Sequence, residues 1–143
     1  MDLGIWETIN GQPIAKANNY QAVPSKGGEK RIIKTARLRE YERSFVAQCS
    51  KYKGARVDFP FCLTARVFFR NNANDLDNAL KTLLDCLQYA GAVTNDNLCA
   101  KLVATKDTDA ENPRIEYKIE RHELPPRGLF AEPQQSGNGK AAI

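Results

Sequence analysis

The stretch Asn74–Asp85, NDLDNALKTLLD, decides how the chain is read. Asp75 and Asp77 stand one residue apart, Lys81 follows, and Leu76, Leu80, Leu83 and Leu84 repeat at helical spacing. The stripe continues to Leu87, and Gly91 is a natural left-handed residue after a helix end. The pattern therefore predicts an amphipathic helix from about Asp75 to Tyr89. At about 100° per residue, Asp77, Lys81 and Gln88 gather on one flank of the stripe. A side chain on that flank can be held by packing and still reach a cleft. One carboxylate is enough to cap a helix, and two repel unless a cation lies between them. The stretch is thus either a cap with an Asp77–Lys81 surface ion pair or a site.

Upstream, RVDFPFCLTARVFFR alternates Leu63, Ala65, Val67 and Phe69 with Cys62, Thr64, Arg66 and Phe68. This predicts a core strand from about Phe61 to Arg70, entered through Pro60. Further upstream, Leu38, Tyr41, Phe45, Cys49 and Tyr52 recur every three or four residues from Thr35 onward. They predict a first helix closed by Gly54. GIWETI near the N-terminus alternates as a short strand, KANNY reads as loop, and PSKGGEK (24–30) as a flexible basic turn. Downstream, TNDN places Asp96 in a tight turn before a strand of about Cys99–Thr105. DTDAENP then reads as a hairpin-like loop, and RIEYKIERH as the last strand. The expected order of strand, helix, strand, helix, strand, strand is an α/β (α+β) fold, a mixed sheet with two helices packed on it.

The chain has 143 residues, 42% apolar and 27% charged, which suits one globular domain. That domain is expected over 1–123, with a Pro/Gly/Gln-rich tail over 124–143 that lacks apolar periodicity. No apolar run is long enough to span a membrane, and the N-terminus has no basic n-region, so a cytoplasmic location is expected. Cys49, Cys62, Cys86 and Cys99 form no Cys-x-x-Cys pair, which argues against zinc and a disulfide framework. They read as small buried hydrophobes, and the lone His122 reads as a strand-end residue. The net charge of +4 is uneven. Residues 1–56 hold 11 Lys/Arg and 5 Asp/Glu, while residues 57–98 hold 3 and 5. A basic arm beside an acidic centre suits a metal-dependent enzyme acting on nucleic acid. Asn18, Asn19, Lys26, Lys30, Arg31, Lys34 and Arg37 are the candidate DNA contacts by charge and position.

Asp75, Asp77 and Asp96 are three hard oxygen donors, and Lys81 is a nearby cation. Magnesium needs a few carboxylates and keeps waters for substrate phosphates. It eases deprotonation of water and neutralises charge on a phosphodiester, while a lysine one turn on can stabilise that charge. Paired-carboxylate glycosidase chemistry would leave the basic arm unexplained, and a small-molecule hydrolase is a further rival.

The run DLDNALKTLLDCLQYAGAVTND (75–96) resembles the signature of the RusA family of Holliday-junction resolvases. KANNYQAV (16–23) and IKTARLREYERSF (33–45) are similar to upstream family segments, so the resemblance spans about 5–120. It implies a homodimer that uses magnesium, or manganese, to cut four-way DNA junctions symmetrically and leave ligatable nicks. It places the metal-binding and catalytic aspartates on Asp75, Asp77 and Asp96 and the essential lysine on Lys81. Asp85 matches a family acid and is expected to stand behind the metal ligands. Two departures bear on affinity. Asn95 replaces the first acid of the family's Asp-Asp turn. Asn74 replaces a basic residue before the first Asp, leaving Arg70 as the nearest arginine for DNA. The missing acid motivates the alternative, a catalytically weak dimeric protein that binds branched DNA.

Overall fold

The computed structural model describes residues 2–123; the expected tail, 124–143, lies outside the described residues. In chain order the elements are β1 (Glu7–Asn10), β2 (Tyr20–Pro24), β3 (Lys30–Lys34), α1 (Ala36–Gln48), β4 (Phe61–Phe69), α2 (Leu76–Tyr89), β5 (Cys99–Thr108) and β6 (Arg114–Arg121). Single 3₁₀ turns occupy Lys16–Asn18 and Asp96–Leu98. The architecture is α+β. A mixed four-stranded sheet runs β1-β6-β4-β5, and β2 and β3 form a separate two-stranded ribbon.

β4 is the central strand, as its alternation predicts. Phe61, Leu63, Ala65, Val67 and Phe69 are all buried, and they share a face with Ile115, Tyr117 and Ile119 of β6 and with Ile9 of β1. Phe45 of α1 and Leu80, Leu83 and Leu87 of α2 complete that core. Burying about ten large apolar side chains at roughly 1.5–3 kcal/mol each is what holds both helices to the sheet. The other face of the sheet carries cations over rings instead, with the Arg66 guanidinium 4.3 Å from the centre of Trp6 and that of Arg114 3.9 Å from Phe68.

The predicted hairpin between β5 and β6 does not form. β4 lies between them, parallel to β5 and antiparallel to β6. The chain reaches β5 through α2, the long crossover that two parallel neighbours need, rather than through a tight turn. The final strand then takes the other edge of β4, where Ile115, Tyr117 and Ile119 meet the core.

The first helix is also shorter than its apolar spacing suggests. It starts at Thr35, whose Oγ1 accepts the Leu38 amide at 3.2 Å, but it stops at Gln48 rather than running to Gly54. The cause is Glu7. Its Oε2 accepts the amides of Ser50 and Lys51, each at 2.8 Å, so those donors are withdrawn from helical partners. Tyr52 still reaches the core, through the turn: its hydroxyl donates to the Ile5 carbonyl and accepts the Ile119 amide at 3.2 Å. Gly54, at φ 72°, instead packs against Gly91, which ends α2 at φ 72° as expected. Cys49 and Cys86 are buried, whereas Cys62 and Cys99 are half-buried. His122 follows β6 and donates its amide to the Pro60 carbonyl at 3.0 Å.

Glu7 is 3% exposed and also accepts the Tyr117 hydroxyl at 2.6 Å. Burial alone would raise its pKa. Hydrogen bonds from Tyr117, Lys51 and Ser50 outweigh burial and hold the carboxyl below its ordinary 4.5. The unfolded chain therefore takes up this proton more readily. The stabilisation is complete above about 4.5 and is lost as pH falls through the lower folded value. Glu7→Gln is expected to cost about 2–3 kcal/mol in urea unfolding at neutral pH. The gap between parent and variant should close in acid.

Candidate functional site

The loop leaving β4 delivers Asp75 to the N-cap of α2, with extended backbone at φ −91° and ψ 132°. A capping aspartate would accept an amide of the first turn. The Asp75 carboxylate makes no such bond. Among the described residues, neither Asp75 nor Asp77 makes an ion pair or side-chain hydrogen bond, and both are exposed. Lys81 is exposed too, and no Asp77–Lys81 bridge forms. The helix start thus presents two free carboxylates and one free ammonium, with Leu80 and Leu83 buried beneath them.

Asp96 opens the 3₁₀ turn before β5. Its amide donates to Gln88 Oε1 at 3.0 Å, and its carboxylate is exposed. The preceding Asn95 is the cap of that turn, its Oδ1 accepting the Asn97 amide at 3.0 Å. The two adjacent residues therefore divide the work: Asn95 shapes the turn, and Asp96 leaves its carboxylate available.

The three aspartates do not come together within one chain. β4 and β5 run parallel, with Phe61 beside Cys99 and Phe69 beside Thr108. Asp75 follows the far end of β4, whereas Asp96 precedes the near end of β5. Along α2, Asp77 and Gln88 are separated by about 16 Å at 1.5 Å per residue. Among the described residues, no group of three His, Cys, Asp or Glu side chains is close enough to hold a metal ion.

The DNA candidates fall into three settings. Lys26, Lys30 and Arg31 are exposed on the β2–β3 ribbon, and Asn18, Arg37 and Arg70 are exposed at other points on the surface. Lys34 is engaged: its ammonium bonds Glu42 at 2.9 Å and the Tyr89 hydroxyl at 3.1 Å, joining the ribbon root to both helices. Burial opposes its charge, yet these partners raise its pKa. Asn19 is 7% exposed. Its Nδ2 donates to the Ala15 carbonyl at 2.6 Å and its Oδ1 accepts from Thr35 Oγ1 at 3.1 Å. Its amide is used to seat the start of α1, which corrects its expected place among the DNA contacts. Asp85 is likewise less open than Asp77. It pairs with Lys16 at 2.5 Å and anchors the 3₁₀ turn of 16–18 to α2. That contact is an ion pair without good hydrogen-bond alignment.

Two features escape sequence reading. The ribbon is hidden because YQAVP and KRIIK are short and flank a Gly-Gly turn. A groove of about 710 Å³ lies beside the ribbon root, lined by Lys34, Arg39, Glu42, Arg43, Lys53 and Tyr89. Its cations look like an ordinary solvated helix face until Tyr89 is folded against them. No described helix is long and apolar enough to cross a membrane.

Comparison with known proteins gives one consistent result. Residues 10–120 match the family described as endodeoxyribonuclease RusA. A crossover junction endodeoxyribonuclease RusA from Aquifex aeolicus (strain VF5) is 27% identical over 115 residues, which cover 79% of this chain and 88% of that protein.

Proposed function

The chain belongs to the RusA family of endodeoxyribonucleases, and from that membership we propose that it is a magnesium-dependent homodimer that resolves four-way DNA junctions by paired symmetric nicks. The observation that carries the reading is the state of Asp75. It occupies a cap position without capping, so its carboxylate is free for another use. A cap of this kind is worth about 1 kcal/mol, and this helix forgoes it.

Magnesium fits the donor chemistry. Asp75, Asp77 and Asp96 offer hard, exposed carboxylate oxygens that no cation occupies among the described residues. Manganese shares that oxygen preference. When bound, the ion supplies easier deprotonation of water and neutralises charge on the scissile phosphate. Lys81, one turn beyond Asp77, adds a positive charge for the phosphate oxygens. The buried faces of α2 and β4 fix where these side chains start, so the site is presented on rigid elements.

The separation of Asp96 from Asp75 and Asp77 supports a further part of this reading. Each site draws Asp75 and Asp77 from one protomer and Asp96 from its partner. Two α2 helices related by a two-fold axis and packed antiparallel would set the start of one beside the end of the other. Closed two-fold dimers are also the commonest oligomers.

The test is incubation of a labelled four-way junction with and without magnesium. Paired nicks that require the ion support the proposal. A gel shift without nicks favours the junction-binding alternative, and the absence of both nicks and a shift would leave no junction function standing. The turn supplies a finer check. Asp96→Asn is expected to raise the magnesium midpoint by about tenfold or more, or to end turnover. Asn95→Asp should lower it or leave it unchanged, because it adds negative charge beside the cation. Equal, small melting changes with an unmoved midpoint in both variants would return Asp96 to a turn-forming role.

A further inference from the structure

We infer that the β2–β3 ribbon is an arm that enters the major groove of a duplex arm of the DNA substrate. The inference rests on the endonuclease reading and assigns the surface that grips the DNA. The ribbon pairs Tyr20 with Lys34 at its root and Pro24 with Lys30 at its tip, and neither strand joins the main sheet. A two-stranded ribbon alone is marginal in water. This one is fixed at both ends. At the tip, the Ser25 amide and hydroxyl both donate to the Glu29 carbonyl, at 2.7 and 2.6 Å, and Gly28 supplies a left-handed φ of 82°. At the root, Lys34 bonds Glu42 and Tyr89, and the Thr35 amide donates to the Asn19 carbonyl at 2.9 Å.

Between these anchors the ribbon projects with an unusual surface. Alternation sets Ala22, Pro24, Lys30 and Ile32 on one face, and all four are exposed, Ile32 at 67%. Val23 and Ile33, on the other face, are half-buried. Lys26, Lys30 and Arg31 have no acidic partner among the described residues. An open strip of Ala22, Pro24 and Ile32, with Lys30 on the same face, Arg31 on the opposite face and Lys26 in the turn, matches a groove walled by phosphates on both sides, with methyl groups on its floor. The major groove, about 12 Å wide, admits a two-stranded β-ribbon. The same cations oppose docking of the ribbon on a second copy of itself. Its root touches α2 at Tyr89, next to the Gln88 side chain that holds Asp96, so DNA on the ribbon passes the Asp96 end of the helix.

The experiment measures binding of the full chain to a four-way junction in EDTA, over a range of salt. The triple variant Lys26→Ala/Lys30→Ala/Arg31→Ala is expected to lose about tenfold or more in affinity. Its plot of log affinity against log salt should be shallower by about 2.7 for each ribbon that grips the DNA, and so by about 5.4 when both protomers' ribbons engage, at 0.9 per phosphate contact. Ile32→Ser, with all charges kept, should weaken binding without changing that slope. Dimethyl sulfate methylation at guanine N7, a major-groove atom, should interfere with the parent and not with the triple variant. Parental slope and affinity in the triple variant would overturn the ribbon while leaving the nuclease reading intact. So would N7 methylation without effect, or loss of the dimer in Ile32→Ser by light scattering. Failure of the parent to bind any junction or duplex would overturn both.

Discussion

Asp75→Asn and Asp77→Asn are each expected to reduce magnesium-dependent junction cleavage by about a thousandfold or more, which is roughly 4 kcal/mol of transition-state stabilisation. Junction affinity should stay near that of the parent. The amide keeps the shape of the carboxylate and removes the charge that would hold a divalent cation, while binding is dominated by phosphate contacts made elsewhere. The structure makes the experiment clean. Neither carboxylate caps the helix or bridges to a neighbour among the described residues, so the substitutions remove no internal contact. Asparagine is also as good a cap as aspartate. Melting temperature should therefore be unchanged, apart from a few tenths of a kcal/mol at Asp77 through the helix dipole. Cleavage near the parental rate in either variant would remove that residue from the site. A fall in melting that accounts for the lost activity would make the pair structural after all.

The second large effect is a recovery. Asp75→Asn and Asp96→Asn proteins, assayed at a magnesium concentration at which neither nicks alone, are expected to regain nicking when mixed and allowed to exchange subunits. If a site takes Asp75 from one protomer and Asp96 from the other, a mixed dimer has one site with both lesions and one with none. Random exchange at equal concentrations makes half of the dimers mixed, so about a quarter of all sites are restored. Because each restored dimer holds one competent site, the product should be a singly nicked junction. Mixing Asp75→Asn with Asp77→Asn is the control. Both lesions then fall on the same end of α2, every site is damaged, and no activity should return. Absence of recovery in the first mixture, with exchange verified by mass, would place each complete site within a single chain.

Much of the fold is legible because short-range patterns coincide with burial. The alternation over Phe61–Phe69 became the central strand, and the leucine stripe over Leu76–Leu87 became α2 with Gly91 behind it. Where local pattern and tertiary partner compete, the sequence misleads. Tyr52 keeps helical spacing with Phe45 and Cys49, yet Glu7, 43 residues before Ser50, ends the helix by accepting the amides that would extend it. The ribbon carries little apolar periodicity because little of it is buried; its cross-strand pairing and its anchorage to Glu42 and Tyr89 hold it. Asn19 looks like a free polar residue in a loop, and only the position of Thr35 shows that its amide is occupied.

The candidate site divides the same way. The sequence by itself determined which residues are the candidates for the chemistry, since Asp75, Asp77, Lys81 and Asp96 stand out by type and spacing, and it determined that the first three sit at a helix start. Where the fourth lies relative to them was decided by the tertiary structure alone. Spacing along the chain says nothing about direction in space. The parallel crossover from β4 through α2 to β5 carries Asp96 to the opposite end of the sheet, because two parallel strands begin at the same edge.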